Sequence, residues 1–147
     1  MAGIVFYRTL DLEQTVSFYR DDLEMEVWLR QDDCTILKHG NLLLGFCSGD
    51  EADVSGVITF FYRSASEVDD MHAKLTHWQA TEPRESSRFD IYHFFARDPE
   101  NRAVELQTFL HPLDPFMDGH SLLLSRRSIR SFSNDSVSDE IIWEVFE

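Results

Sequence analysis

The chain has 147 residues, of which 27 are acidic and 13 are basic. The resulting formal net charge of −14 repels nucleic acid and anionic membrane surfaces, which excludes both as expected partners. The sequence contains no signal peptide and no apolar run long enough to cross a membrane. We therefore expect a cytoplasmic protein in which the two cysteines are reduced thiols.

The first predicted elements are a strand, a helix and a second strand. Residues 3–10 and 26–31 alternate as strands do and are rich in β-branched and aromatic side chains. Between them, residues 11–25 predict a helix that Asp11 caps, with Gln14 reaching back to the cap in a capping box. The apolar residues of this helix form one stripe at spacings of four, three and four: Leu12, Val16, Tyr19 and Leu23.

Two apolar runs between residues 34 and 47 predict a β-hairpin. Gly40 and Asn41 lie between the runs, and both tolerate the positive φ of a tight turn. A two-residue turn here places Cys34 directly opposite Cys47, with their Cα atoms about 4.5 Å apart, which is only marginally compatible with a disulfide. No activating motif surrounds either cysteine, so we expect both to act as small apolar residues of the strands.

The same order of elements then repeats. Residues 56–62 predict a strand, and residues 64–78 predict a second capped helix whose apolar face consists of Val68, Met71, Leu75 and Trp78. Three strands are expected after this helix, at roughly 80–84, 89–97 and 102–109, with the turn Asp-Pro-Glu-Asn between the last two. The chain thus contains two β-α-β-β-β modules, residues 1–50 and 56–110, and predicts an α+β fold.

Two motifs carry a resemblance to a known superfamily. The first is the D-L-x-x-x-x-x-F-Y-R-D-x-L helix, and the second is the D-P-x-N-x-x-x-E-L hairpin. With the doubled order of elements, they make residues 1–112 resemble the vicinal oxygen chelate superfamily. Its members include glyoxalase-type lyases, fosfomycin-inactivating transferases, extradiol dioxygenases and bleomycin-resistance binding proteins. The resemblance implies paired modules whose curved sheets form a half-open groove, but it does not imply one reaction.

The resemblance also implies where a metal would bind. In metal-dependent members, one ligand lies on the first strand of each module and a third is the glutamate of the last strand. These positions correspond to Ile4, Ile58 and Glu105. Isoleucine has no lone pair to offer a metal ion, and the neighbours in sequence are poor ligands too: Gly3, Val5, Val57 and Thr59. We therefore expect no metal at this site.

Strand alternation predicts which side chains line the groove. If the three family positions face inward, the groove is an aromatic cleft with one carboxylate and one imidazole. The candidate ligand-binding residues are then Glu105, His93, Phe6, Phe60, Tyr62, Phe95 and Gln107. A carboxylate among aromatic rings is costly to bury alone, so Glu105 should hold a proton or await a cation. The alternative is that Glu105 is solvated at the groove mouth or pairs with Arg8.

The segment 113–147 does not fit the superfamily. Residues 118–147 resemble the opening of a nitroreductase-type flavoprotein, in which an Arg-Arg-Ser segment contacts the phosphate of FMN. In this chain the segment corresponds to Arg126, Arg127 and Ser128. That family needs many more residues, so FMN is expected only if the polypeptide continues into a longer fusion. Otherwise we expect a helical tail that serves as a dimerisation arm.

Three functional hypotheses follow. The leading one is a metal-independent, homodimeric protein of the bleomycin-resistance type that binds a cationic or aromatic small molecule without a cofactor and without catalysis. The second is a lyase or dioxygenase of the same superfamily with an unconventional divalent-metal arrangement around Glu105. The third is an accessory domain of a nitroreductase fusion.

Overall fold

Each predicted module forms a four-stranded sheet in the computed structural model, which describes residues 3–113. Sheet A contains strands β1 (Val5–Thr9), β2 (Glu26–Arg30), β3 (Cys34–His39) and β4 (Leu42–Ser48), in the order β1-β4-β3-β2. Sheet B contains β5 (Val57–Phe61), β6 (Arg84–Ser86), β7 (Ile91–Arg97) and β8 (Ala103–Phe109), in the order β5-β8-β7-β6. In each sheet the first and last strands pair in parallel and the other pairs are antiparallel. The α+β fold is confirmed, whereas the predicted tail with Arg126, Arg127 and Ser128 lies outside the described residues.

The first helix is shorter than predicted. Helix α1 spans Leu12–Ser17, and a π-helical turn at Phe18–Asp22 follows it. Asp11 caps the helix as expected, because its side chain accepts from the backbone N–H of Gln14 at 2.9 Å. The capping box with Gln14 is wrong, since the backbone N–H of Asp11 donates to Glu100 of the second module.

The second helix agrees with the sequence at its start and along its buried face. Helix α2 spans Ala65–Leu75 and begins with a complete capping box between Ser64 and Glu67. Its residues Val68, Met71 and Leu75 are buried, as the predicted apolar stripe requires. No helix among residues 3–113 is long and apolar enough to span a membrane.

One hydrophobic core joins both modules. One face of each sheet contributes to it, and the two helices cover it. From sheet A it contains Leu37, Leu44 and Phe46, and from sheet B it contains Ile58, Phe60, Phe94, Val104 and Leu106. The opposite faces of the two sheets lie outside this core.

The hairpin of sheet A forms as predicted. His39 pairs with Leu42 across the turn, and Gly40 has the positive φ of +57° that the turn requires. In sheet B the strand expected at 80–84 is wrong. Strand β6 begins only at Arg84, because Pro83 has no N–H to donate to a sheet.

The expectation of reduced thiols is wrong for this structure. Cys34 and Cys47 lie directly opposite one another, as predicted, and they form a disulfide. Their Cα atoms are 4.1 Å apart, so the close strand pair brings the two sulfur atoms together without backbone movement. Disulfides are rare in the cytosol, and the cytoplasmic location therefore stays a prediction.

A buried arginine connects the two modules. Arg102 is 2 % exposed, and its Nη1 donates to Asp98 Oδ2 at 2.7 Å. Its Nε and Nη2 atoms donate to the backbone oxygens of Asp53 and Arg8, both at 2.7 Å. Nη2 also donates to Glu100 at 3.1 Å. The turn between β7 and β8 is thereby fastened to strand β1 and to the connection between the modules.

The carboxylates beside Arg102 are bonded to the first module as well. The Tyr19 hydroxyl donates to Asp98 at 3.2 Å, and the Thr9 hydroxyl donates to Glu100 at 2.6 Å. Burial of Glu100 opposes its ionisation, but these hydrogen bonds and the charge of Arg102 lower the pKa of Glu100 overall. Burial raises the pKa of Tyr19 well above its ordinary value, so its hydroxyl remains a donor.

We expect Asp98→Asn to lower the free energy of unfolding by about 3 kcal/mol, because it leaves the Arg102 charge buried without a full counter-charge. The measurement is urea unfolding followed by circular dichroism. Asp21→Asn is the matched control, since Asp21 pairs with Arg20 on the exposed surface and should change stability little. Equal effects of the two substitutions would contradict a structural role for the buried pair.

Candidate functional site

The open face of sheet B carries the polar residues expected in a groove. Residues directly opposite one another on neighbouring strands share a face, so the strand register defines rows of side chains across the sheet. Three rows on the open face are Val57, Ala103 and Arg97; then Thr59, Glu105 and Phe95; then Phe61, Gln107, His93 and Arg84.

Glu105 and His93 form a hydrogen-bonded pair on this face. His93 Nδ1 lies 2.7 Å from Glu105 Oε1, and the Thr59 hydroxyl donates to Glu105 Oε2 at 2.9 Å. The two side chains are only 10 % and 15 % exposed, so solvent screens their interaction weakly. Both carboxylate oxygens of Glu105 therefore have partners within the chain. These contacts fix Glu105 in one orientation and leave the Nε2 edge of His93 as its remaining polar atom.

A cavity of about 420 Å³ lies over this pair. Glu105 and His93 line it together with Phe95 and with residues of the β6–β7 hairpin: Arg84, Glu85, Ser86, Ser87, Arg88 and Phe89. The ring of His93 meets that of Phe95 edge to face, with centroids 5.3 Å apart. A concave space with aromatic walls and a few convergent polar groups is the usual form of a small-molecule site, and this cavity is open to solvent on one side.

A second cavity, of about 320 Å³, lies between helix α1 and strands β2 and β3. Arg20 lines it, but the guanidinium of Arg20 is bound to Asp21. The other side-chain hydrogen bond of Arg20 goes to Ser17 one helical turn earlier, at 3.5 Å, whereas the cavity of sheet B has in its wall the His93–Glu105 pair, which joins two strands. The open face of sheet B is therefore the stronger candidate.

The structure brings together three of the predicted ligand-binding residues in the cavity. Glu105, His93 and Phe95 line it. Gln107 lies on the same face in the row of His93, but it is 8 % exposed and is not part of the cavity wall.

Phe60 and Tyr62 were predicted to face the groove, and this is wrong. Phe60 is buried in the core, and Tyr62 packs against the core from the same side of β5. Burial raises the pKa of Tyr62 to about 12. The strand was assigned one residue out of register, because Thr59 rather than Ile58 lies opposite Glu105.

Phe6 lies on the other sheet. It pairs with Gly45 of β4 on the open face of sheet A and does not line the cavity of sheet B. A Cβ atom at residue 45 would overlap the ring of Phe6, so a larger residue there would require this exposed ring to move. The proposed Arg8–Glu105 pair is also wrong. Arg8 binds Asp53 at 2.8 Å, and hydrogen bonds from Arg8 lower the pKa of Asp53 to about 2.

Sequence reasoning missed Thr59, Arg84, Arg88 and Phe89 as site residues. Strand alternation does not identify the face of Thr59, since Val57 and Phe61 on its side are as apolar as Ile58 and Phe60 on the other. The signal available in the sequence was that Thr59 is the polar residue of the strand 57–61, which indicates the open face. The arginines and Phe89 belong to a hairpin whose first strand was placed too early.

The donor set does not fit the divalent metal that the superfamily resemblance implies. Glu105 is present, but the position in the first module is Ile4, and the next side chain on the same face is Phe6. In the second module the residue opposite Glu105 is Thr59, which offers only a hydroxyl. Within residues 3–113 no group of three or more His, Cys, Asp and Glu side chains could hold a metal ion. A carboxylate and an imidazole that already bind each other are a poor divalent site.

The sequence matches no family model and no curated protein. Solved structures match with probability 1.00. One is lactoylglutathione lyase from Agrobacterium tumefaciens, with a TM-score of 0.61, 19% identity, and coverage of 74% of this chain and 92% of that chain. Another is a glyoxalase/bleomycin resistance protein/dioxygenase family enzyme from Burkholderia phytofirmans PsJN, with a TM-score of 0.64, 18% identity, and coverage of 73% and 97%.

A third similar structure is a fosfomycin resistance protein from Listeria monocytogenes, with a TM-score of 0.62, 16% identity, and coverage of 74% and 92%. At these identities the comparison establishes the fold alone. The chain has the fold of the glyoxalase, bleomycin resistance and dioxygenase proteins, as the resemblance of its motifs implied.

We expect the purified protein to contain less than about 0.2 equivalents of transition metal per chain, because one carboxylate–imidazole pair is an inadequate divalent site. The measurement is elemental analysis by mass spectrometry after purification without a chelating resin. Stoichiometric zinc, nickel, manganese or iron that is lost from Glu105→Gln would contradict this expectation.

Proposed function

We propose that the protein binds an aromatic small molecule, without a metal ion, in the cavity on the open face of sheet B. The observation that carries this proposal is the His93–Glu105 pair, held by Thr59 in the wall of an aromatic cavity. The pair provides a fixed polar edge for orienting a ligand, and Phe89 and Phe95 provide surface for stacking.

The alternative is a metal-dependent enzyme of the same fold. It takes support from the similarity of this fold to that of lactoylglutathione lyase from Agrobacterium tumefaciens. The two functions differ in what they require of Glu105. An enzyme of this kind needs a free carboxylate oxygen for the metal, whereas the binding function needs the carboxylate to stay with His93 and Thr59.

Binding should survive removal of metal. We expect ligand-observed NMR with EDTA-dialysed protein to detect members of a panel of bicyclic aromatic compounds, and Phe89→Ala to weaken their binding by about tenfold because a stacking surface is lost. Trp28→Ala is the matched control, since Trp28 is a similarly exposed aromatic residue on sheet A. Binding that appears only after addition of a divalent metal would favour the enzyme, and no binding in either state would exclude both functions at this cavity.

We further propose that the protein is a homodimer. Large apolar side chains are exposed on both sheets, among them Phe6 on β1, Leu29 on β2 and Val57 on β5. Exposed apolar side chains of this size favour association with a second copy that would cover them. We also propose that the tail contributes to the dimer or forms the beginning of a nitroreductase-type domain. Residues 114–147 of this tail lie outside the described residues.

Val57→Glu should shift the dimer towards monomer, because it replaces an exposed apolar side chain on the open face of sheet B by a charge. The measurement is size-exclusion chromatography with light scattering at micromolar concentration. Val54→Glu is the control, since Val54 has almost the same exposure, 49% against 51%, but lies in the connection between the sheets. A monomeric unmodified protein, or a dimer that tolerates Val57→Glu, would exclude this interface.

A further inference from the structure

We propose that the cavity on sheet B selects aromatic acids, that is, ligands that join an aryl group to a carboxylate. This inference rests on the proposed binding function and adds the chemical class of the ligand. It reverses the sign of charge expected from the sequence, where Glu105 suggested a cationic ligand.

The first step concerns Glu105. A carboxylate recruits a cation when its oxygens are free, but here one oxygen faces His93 and the other accepts from Thr59. Both oxygens of Glu105 are therefore occupied within the chain. What the cavity presents to a ligand is the far edge of the imidazole, because Nε2 of His93 makes no hydrogen bond to the described residues.

The second step concerns Arg84. It lies directly opposite His93 in the strand register, on the same face of the sheet, and it lines the cavity. Within residues 3–113 its guanidinium makes no ion pair and no side-chain hydrogen bond. Arg84 thus presents an unpaired guanidinium beside His93, and the forked donors of a guanidinium suit the two oxygens of a carboxylate.

The third step concerns Glu85, which is the other carboxylate that lines the cavity. Glu85 follows Arg84 on β6 and pairs with Tyr92. Because neighbours along a strand point to opposite faces, Glu85 projects towards the side of Tyr92, whose hydroxyl binds Asp69 of helix α2. The side chain of Glu85 therefore points away from that of Arg84, although Glu85 also borders the cavity.

The fourth step is the aromatic wall. Phe89 and Phe95 line the cavity, and the guanidinium of Arg88 lies over the ring of Phe89 at 5.1 Å from its centroid. This contact places a second positive charge beside the aryl surface. A ligand whose ring stacks on Phe89 or Phe95 would have its carboxylate beside the other residues of the cavity wall, His93, Arg84 and Arg88.

The test uses three probes of one shape: 2-naphthylacetate, 2-naphthylmethylamine and 2-naphthylmethanol. Each is titrated into the full chain at neutral pH and followed by NMR. We expect the acid to bind about tenfold more tightly than the alcohol, and the amine most weakly. Arg84→Glu should weaken the acid by about tenfold or more and improve the amine, since it inverts the charge opposite His93.

Arg30→Glu is the matched control, because Arg30 is also an exposed arginine on the edge strand of its sheet. It should change the affinity of each probe by less than about twofold. Thermal unfolding of both variants verifies that they fold. Tightest binding of the amine or the alcohol, or equal effects of the two substitutions, would overturn the inference while leaving aromatic binding intact. Failure of all three probes to bind would overturn the inference and the proposed function together.

Discussion

The buried ion pair between Arg102 and Asp98 is the contact on which the arrangement of the two modules depends. A charge this deep in the protein is tolerated only when its donors are satisfied. Here they are satisfied by groups from both modules, including the backbone oxygens of Arg8 and Asp53. The guanidinium also lies over Phe46 of sheet A, with its central carbon 5.5 Å from the ring centroid. Separation of the modules would expose or orphan these groups, so their packing is specified more strictly than apolar contact alone would require.

Each sheet has one covered face and one open face. The covered faces pack with the helices in one core. Arg102 lies beside this core, at the turn between β7 and β8, with its guanidinium over Phe46. The open face of sheet B is then free to carry polar groups without weakening the core. Thr59, Glu105 and His93 form a diagonal line across that face. Because each of them binds the next, the line is rigid before any ligand arrives, and little entropy is lost when one binds.

Much of the fold could be predicted from local patterns. The cap at Asp11, the apolar stripe of α2 and the Gly40 turn all appear in the structure because each rests on contacts within a few residues. The site was predicted less well. Glu105, His93 and Phe95 were placed together correctly, since β7 and β8 are joined by a short turn that fixes their register. Phe60 was misplaced because β5 pairs with β8 across more than forty residues of sequence, and both of its faces are apolar.

The sequence by itself determined the doubled order of strands and helices and the cross-strand pairing of the two cysteines. It also determined that the positions of the superfamily's metal ligands carry few residues able to bind a metal. These properties depend on residue type and short-range spacing, which the linear chain states directly. Only the tertiary structure decided that the cysteines are bonded, that Arg102 is buried and that Thr59 rather than Ile58 meets Glu105. Each of these depends on which distant segments come together and in which register. A shift of one residue turns every side chain of a strand to its other face, so the chemistry of this groove is fixed by long-range pairing.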